Sequence, residues 1–262
     1  YTIYHEPESL KPFRYTKPIN GALKRIALMM PEGMRGRSFL LRGTTPLENR
    51  YVGNAFIFGE QEKQAFFKNY NQNHPFQSIT QPLYDESVDY DPISRMQFID
   101  MHTWLNGDLL HNADRTTMAH SLELRTPFVD REVYNLAAEI PADLRISHGT
   151  TKYILRKAVE DIVPAHVLHR KKLGFPVPIR FWLKDEMYDW AKQIINDSQT
   201  DQYFNKDYFL KLLDDHKAGV RDNSRKLWTV LTFMMWHRLY VESDHLMDSP
   251  EANAAAEKVE EF

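Results

Sequence analysis

Trp104 to Asp130 reads WLNGDLLHNADRTTMAHSLELRTPFVD, with charge set among apolar residues. Asp114 and Arg115 are adjacent, and Glu123 and Arg125 flank Leu124. Met118, Ala119, Leu122, Leu124, Pro127, Phe128 and Val129 supply the apolar surroundings. A charge taken out of water is costly unless it is paired and hydrogen-bonded. The stretch therefore predicts two ion pairs in apolar surroundings. They either build a site or pin a packing junction, and pinning is the commoner use of such pairs.

Working outward, Asp91-Pro92 is a helix start, an N-cap acceptor followed by proline at the first helical position. Ile93, Met96, Ile99, Leu105 and Leu109 form its expected buried stripe, with Asn106-Gly107 as an interruption. Asp130 caps a further helix from Arg131 to Ile140, which Pro141 stops. Upstream, Pro18 to Met30 is predicted helical, with Leu23, Ile26, Ala27 and Met30 inward. Glu60 to Tyr70 is a short helix with Phe66 and Phe67 inward, and Asn71 to Asp89 reads as loop. Downstream, helices are expected from Lys152 to about Ile162, from Ile179 to Ile194, and from Asn205 to Ala218, with Gly219 as the C-terminal glycine. Leu227 to Tyr240 is apolar almost all round but shorter than the roughly 20 residues a membrane span needs, so it reads as a core helix. The acidic segment 243–262 has little apolar surface and is expected to be a mobile tail.

Composition narrows the function. With 42% hydrophobic and 26% charged residues the chain is ordinary globular protein. A net charge of −3 offers no basic field for nucleic acid. The absence of cysteine excludes a disulfide scaffold, a cysteine zinc site and a cysteine nucleophile within this sequence, and it fits a reducing, cytoplasmic setting. The 11 histidines show no metal spacing: His166 and His169 are three apart, His111 and His120 nine apart, neither with a carboxylate in register. Arg35, Arg37 and Arg42 read as a solvated basic face, with a phosphate contact as the alternative. The sharper feature is Arg170-Lys171-Lys172, followed by Leu173-Gly174-Phe175-Pro176-Val177-Pro178. Glycine permits close backbone approach and the prolines stiffen the turn, so the cations suit a polyphosphate. A solvated basic turn or a weak nucleic-acid patch remains the alternative.

The ordered motifs carry a resemblance. DRTTMAHSLELRTPFVD, from Asp114 to Asp130, resembles the synthetase domain of class B, glutamine-hydrolysing asparagine synthetases, where the stretch reads roughly D-R-x-[ST]-M-A-x-S-x-E-x-R-x-P-F-[LV]-D. Pro141-Ala142-Asp143-Leu144-Arg145-Ile146, Thr151-Lys152-Tyr153-Ile154-Leu155-Arg156 and Arg170 to Pro176 follow in the family's order. The resemblance runs from Tyr1 to about Tyr240.

It implies a mostly helical chain that completes an α/β ATP-pyrophosphatase-type domain whose parallel sheet lies upstream, with residues 1–242 in that domain. Tyr1 would close the family's Asp-Glu-Leu-Phe-Gly-Gly-Tyr motif at the edge of the nucleotide site. The Ser-Gly-Gly-x-Asp-Ser pyrophosphate loop and the glutaminase half do not occur in this sequence, and a first residue other than Met fits a trimmed chain. The implied reaction is ATP-dependent amidation of aspartate through β-aspartyl-AMP, with ammonia from a glutaminase domain. Lys172 would sit at the α-phosphate, with Arg170 and Lys171 assisting. Asp114, Arg115, Glu123 and Arg125 would wall the site, and Ala113 and Thr126 would line the ammonia tunnel. The family often has Val where Thr126 stands. Mg2+ would accompany ATP on carboxylates upstream of Tyr1. No nucleic acid or membrane partner is implied, and a homodimer is allowed. Two alternatives stay open: a related carboxylate-adenylating or β-lactam synthetase-like enzyme, and a helical interaction module without activity.

Overall fold

The computed structural model describes residues 2–31, 34–53, 56–170 and 177–242. They are mostly helical, and their only strands form one two-residue hairpin. Contacts divide the chain into two compact units, residues 1–56 with 73–172 and residues 57–72 with 173–262. The segment 243–262, read as a tail, lies outside the described residues.

In the first unit, Tyr4, Tyr51, Tyr84, Met96, Ile99 and Ile146 form the buried core. The helix Pro92–Asp100 starts as the sequence predicts: the Asp91 carboxylate accepts from the backbone N–H groups of Ile93 and Ser94, at 2.9 and 3.1 Å. At Met101 it widens into a π-helix, Met101–Leu110, and then continues as the α-helix His111–Met118. The expected interruption at Asn106-Gly107 thus takes the form of wider turns, not a break. Asp130 likewise caps Arg131–Glu139, accepting from Glu132 N and Val133 N.

The expected loop over Asn71–Asp89 is corrected: Gln77–Glu86 is a helix with Pro82 inside it. Proline removes one N–H from the helical ladder. Burial of Thr80 and Tyr84, and the 2.8 Å bond from the Tyr84 hydroxyl to the Tyr51 carbonyl, act against that loss. The helix after Lys152 is shorter than expected, Tyr153–Ala158, and Ile162 is exposed. Of the stripe expected in the Asn20–Met29 helix, only Ala27 is buried.

Charge in this unit is buried elsewhere than the sequence suggests. Glu6 is buried and accepts from Arg42, at 3.1 Å, and from Arg50. Burial lowers the Arg50 guanidinium from its ordinary range. Arg42 thus has a carboxylate partner, where the sequence offered a solvated face or a phosphate contact. Asp100, 7% exposed, accepts from the hydroxyls of Tyr4 and Tyr51.

The second unit is built on aromatic packing. Phe66, Phe204, Phe209, Leu213, Leu227, Leu231 and Met234 are in its core. Each fully buried side chain of this kind stabilises by roughly 1.5–3 kcal/mol. The helix Glu60–Phe66 leads into a main-chain pairing of Phe67 with Phe204, flanked by Lys68 N to Tyr203 O at 2.9 Å and Asn205 N to Phe66 O at 2.7 Å. Phe66 is buried as expected, while Phe67 is partly exposed. The single amphipathic helix expected from Ile179 is two, Ile179–Trp182 and Tyr188–Asp197. Lys206–Lys217 follows, and Gly219 takes the left-handed conformation expected of it. His216 is buried; its Nδ1 accepts from Asn223 N, so Nε2 carries the hydrogen and donates to the Arg180 carbonyl at 2.8 Å. The apolar C-terminal stretch forms Ser224–His237, with Leu227, Val230, Leu231 and Met234 in the core. No described helix is long and apolar enough to cross a membrane.

Candidate functional site

The central stretch is corrected first. Asp114, Arg115, Glu123 and Arg125 are exposed in this chain, not buried. Glu123 and Arg125 do pair, but at the surface, where Arg125 is 82% exposed. Among the described residues Asp114 and Arg115 form no ion pair. The apolar residues meant to enclose them also face outward, Met118 at 53% and Phe128 at 72% exposure. Local composition recorded a surface suited to burial, but among the described residues these side chains remain exposed. Ala113 is half-buried on His111–Met118, and Thr126 is exposed.

Phe128 and Val129 do take part in a cavity of about 550 Å³. Phe98, Trp104 and Tyr134 share its walls, and Asp100 and Arg145 lie on its lining. Asp100 Oδ1 and Arg145 Nε are buried without a hydrogen bond among the described residues. Sequence reasoning missed Asp100. The available signal was an aspartate directly beside the buried stripe position Ile99.

Arg170 is the predicted phosphate residue that the structure places on a second cavity, of about 470 Å³. The wall begins with the hairpin, in which Ile146 pairs with Thr151 and Ser147 with Thr150. Its two-residue turn, His148-Gly149, has φ of 49° and 70°, the two positive values that a type I′ turn requires. Gly149 meets that requirement without strain, whereas His148 and then Lys152, at φ 58°, adopt the left-handed conformation with a side chain present. Lys152 turns the chain from strand into the helix Tyr153–Ala158.

That helix carries Arg156, which is half-buried. Its Nε donates to the Thr151 carbonyl at 3.2 Å and its Nη1 to the Leu168 carbonyl. Two of five guanidinium donors are thereby used to fix the wall. The helix Ala165–Leu168 ends there, and His169 and Arg170 continue the lining, to which His5 also contributes. Lys157 also lines the cavity, paired with Glu160 at 2.9 Å; the carboxylate raises the lysine's pKa. Cations therefore outnumber the one acid on this wall.

Arg156, Thr151 and His5 were not singled out by sequence as site residues. The signal for the first two lay in the motif Thr151–Arg156, which was quoted without a role. Lys171, Lys172 and Tyr1 lie outside the described residues. Among the described residues no three histidine or acidic side chains come together as a metal site.

These elements, in this order, define the class. The chain belongs to the asparagine synthase family, whose sequence pattern matches residues 3–238. Asparagine synthetase (glutamine-hydrolyzing) 1 of Bacillus subtilis strain 168 is 55% identical over 247 residues, covering 94% of this chain and 39% of that protein. Asparagine synthetase (glutamine-hydrolyzing) 3 of the same organism is 34% identical over 113 residues, 43% of this chain and 18% of its own length. The Gallus gallus asparagine synthetase (glutamine-hydrolyzing) is 47% identical over 66 residues, 24% of this chain and 12% of its own. The chain thus spans 39% or less of the length of these three relatives. No solved structure matches it.

Proposed function

We propose that this chain is the C-terminal portion of the synthetase domain of a glutamine-dependent asparagine synthetase, and that its own share of the chemistry is the handling of phosphate charge. The observation that carries this reading is Arg170. It opens the run Arg170-Lys171-Lys172 and lies on a cation-lined cavity with Arg156, within a chain 55% identical to a glutamine-hydrolysing asparagine synthetase.

In the proposed reaction a side-chain carboxylate oxygen of aspartate attacks the α-phosphorus of ATP. The bond from that phosphorus to the bridging oxygen of the β-phosphate breaks, giving β-aspartyl-AMP and pyrophosphate. Ammonia from a glutaminase domain then adds to the acyl carbon. The acyl–oxygen bond breaks, AMP leaves, and the nitrogen loses a proton to give asparagine. Lys172 stands as the fixed charge at the α-phosphate, and Arg170 and Lys171 assist. Fixed cations oppose the charge that develops on the phosphoryl oxygens without needing to reorganise. Ala113 and Thr126 belong to the ammonia route, and Asp114, Arg115, Glu123 and Arg125 to the neighbouring wall. Tyr1 sits at the nucleotide-site edge. Mg2+ would be held largely by the phosphate oxygens of ATP with carboxylates expected upstream of this sequence, and no step here runs through it. A cytoplasmic setting and a homodimer fit the same reading.

The test is Lys172→Ala in the full-length protein. Aspartate-dependent pyrophosphate release is expected to be lost while glutaminase activity survives. Unchanged release removes Lys172 from the mechanism.

A further inference from the structure

We infer that a third cavity, lined by Arg14, Lys17, Arg42 and Arg50, is a seat for a small organic phosphate, a dianionic monoester with an apolar body. The inference goes beyond the proposed function, since this lining shares no residue with the cavity of Arg170.

Four observations converge on it. The first is charge. The lining holds four cations and no acid. Among the described residues Glu6 alone pairs with any of them, with Arg42 at 3.1 Å and with Arg50, while Arg14 and Lys17 form no ion pair. The other acids that flank lining residues in the chain are Glu8, Glu48 and Asp91. Lys11, Arg95 and Arg145 engage them, at 3.1, 2.6 and 3.7 Å. One carboxylate against four cations suits a dianion, and a monocarboxylate would leave positive charge over.

The second is presentation. The buried Glu6 accepts from the Nη1 groups of both arginines, and their Nε groups donate to the Ser38 and Thr45 carbonyls at 3.2 and 3.1 Å. Among the described residues neither Nη2 donates to a partner. Each guanidinium is thus fixed by two bonds with a donor edge left for phosphate oxygens. Arg42 thereby returns to the phosphate contact that the sequence left open, with Glu6 as its anchor.

The third is rigidity. Phe13 packs so closely on Gly43 that a Cβ there would come within 2.3 Å of its ring, and it meets Phe39 edge-on at 5.3 Å. Asn20 donates to the Phe13 carbonyl at 3.3 Å and accepts from the Thr16 hydroxyl at 2.7 Å, closing the turn that carries Arg14 and Lys17. The fourth is the apolar wall. Leu10, Phe13, Pro46 and Leu47 share the lining, and about 430 Å³ lies within the range of small-molecule pockets. A nucleic-acid strand needs a longer basic track, and a net charge of −3 does not favour one.

The experiment is calorimetric titration of phenyl phosphate into the full-length protein, wild type and variants, with orthophosphate and benzoate as comparison ligands. Wild type is expected to bind phenyl phosphate more tightly than either, with affinity falling as salt rises. Arg14 and Lys17 are exposed, so replacing them leaves the core intact. Arg14→Gln and Lys17→Gln are each expected to weaken phenyl phosphate about threefold, and the double variant about tenfold, the scale of exposed charge contacts. Arg170→Gln is expected to stay within about twofold of wild type. A double variant within about twofold of wild type, with native circular dichroism, overturns the inference. So does a loss in Arg170→Gln as large as that in the double variant, which places phenyl phosphate at the other cavity. Benzoate binding as tight as that of phenyl phosphate, or no saturable binding by wild type, also overturns it. Displacement of phenyl phosphate by a short oligothymidylate at equal concentration overturns it by assigning the face to nucleic acid. No arm needs aspartate, ATP or turnover, so failure of the Lys172 test leaves each of them readable.

Discussion

Asp100 offers a sharp test of what holds the first unit together, because alanine and asparagine there should part company. The carboxylate is 7% exposed, and one oxygen, Oδ2, accepts from both the Tyr4 hydroxyl and the Tyr51 hydroxyl, the latter at 2.7 Å. The other oxygen, Oδ1, has no hydrogen bond among the described residues and lies against Gly53. Asp100→Ala removes the acceptor shared by two buried tyrosine hydroxyls. Each buried unsatisfied group costs about 1–3 kcal/mol, partly offset by removal of an incompletely satisfied carboxylate. The expected net loss is roughly 2–4 kcal/mol. Asp100→Asn keeps an oxygen where both hydroxyls converge and removes the buried charge. It is expected to lie within about 1 kcal/mol of wild type, in either direction. For a chain of this size 1 kcal/mol moves Tm by about 2–4 °C, so thermal unfolding should show alanine falling by about 5–15 °C and asparagine by a few degrees at most. An alanine variant within 1 °C of wild type would refute the reasoning, because it would mean the tyrosine hydroxyls lose nothing when their acceptor goes.

Gly53 is the backbone side of the same contact. Its φ is 71°, and a Cβ there would meet Asp100 Oδ1, so Gly53→Ala is expected to destabilise by more than about 1 kcal/mol, read as a lower denaturant midpoint; an unchanged midpoint removes the close approach. Burial first, then the bond to Asp100, push the Tyr51 hydroxyl up from its ordinary value, and burial does the same for Tyr84. The folded pKa values thus exceed the unfolded value near 10, so this stability is fully present below about pH 10 and is lost as pH rises beyond it. Alkaline unfolding should therefore lose about 1.4 kcal/mol per pH unit for each such tyrosine, and Tyr51→Phe should show a shallower slope; equal slopes refute the assignment.

Features encoded by neighbouring residues were legible in the sequence. Asp91 and Asp130 cap helices whose N–H groups lie two and three positions on, and Gly219 closes a helix that ends two residues earlier. Features that depend on distant partners were not. The Asp100 network joins residues 96 and 49 positions apart, and a lone aspartate beside a stripe carries no pattern. The Asn, Gln, Pro, Ser and Asp content of Asn71–Asp89 pointed to a loop because such signals are local, whereas the burial of Tyr84 that sustains the helix is tertiary. In the central stretch Met118, Leu122 and Phe128 announce an apolar surface, but composition does not say which partner covers it, so the four charges expected inside lie outside. The motifs named the family correctly. Arg170 was legible as a basic-run residue, while its companion Arg156 was hidden in a motif because its role is defined by two carbonyls it reaches through space.

The Arg156 guanidinium also changes what the connecting chain has to do. Its bond to the Leu168 carbonyl spans 12 residues and ties the hairpin to the segment that bears Arg170. The geometry of the cavity wall is set by that tie and not by the length of the chain between. Closing a loop twice as long costs only about 0.6 kcal/mol more. Insertions between Glu160 and Pro164 are therefore a place where relatives of this chain can drift in length while Arg170 stays at its station.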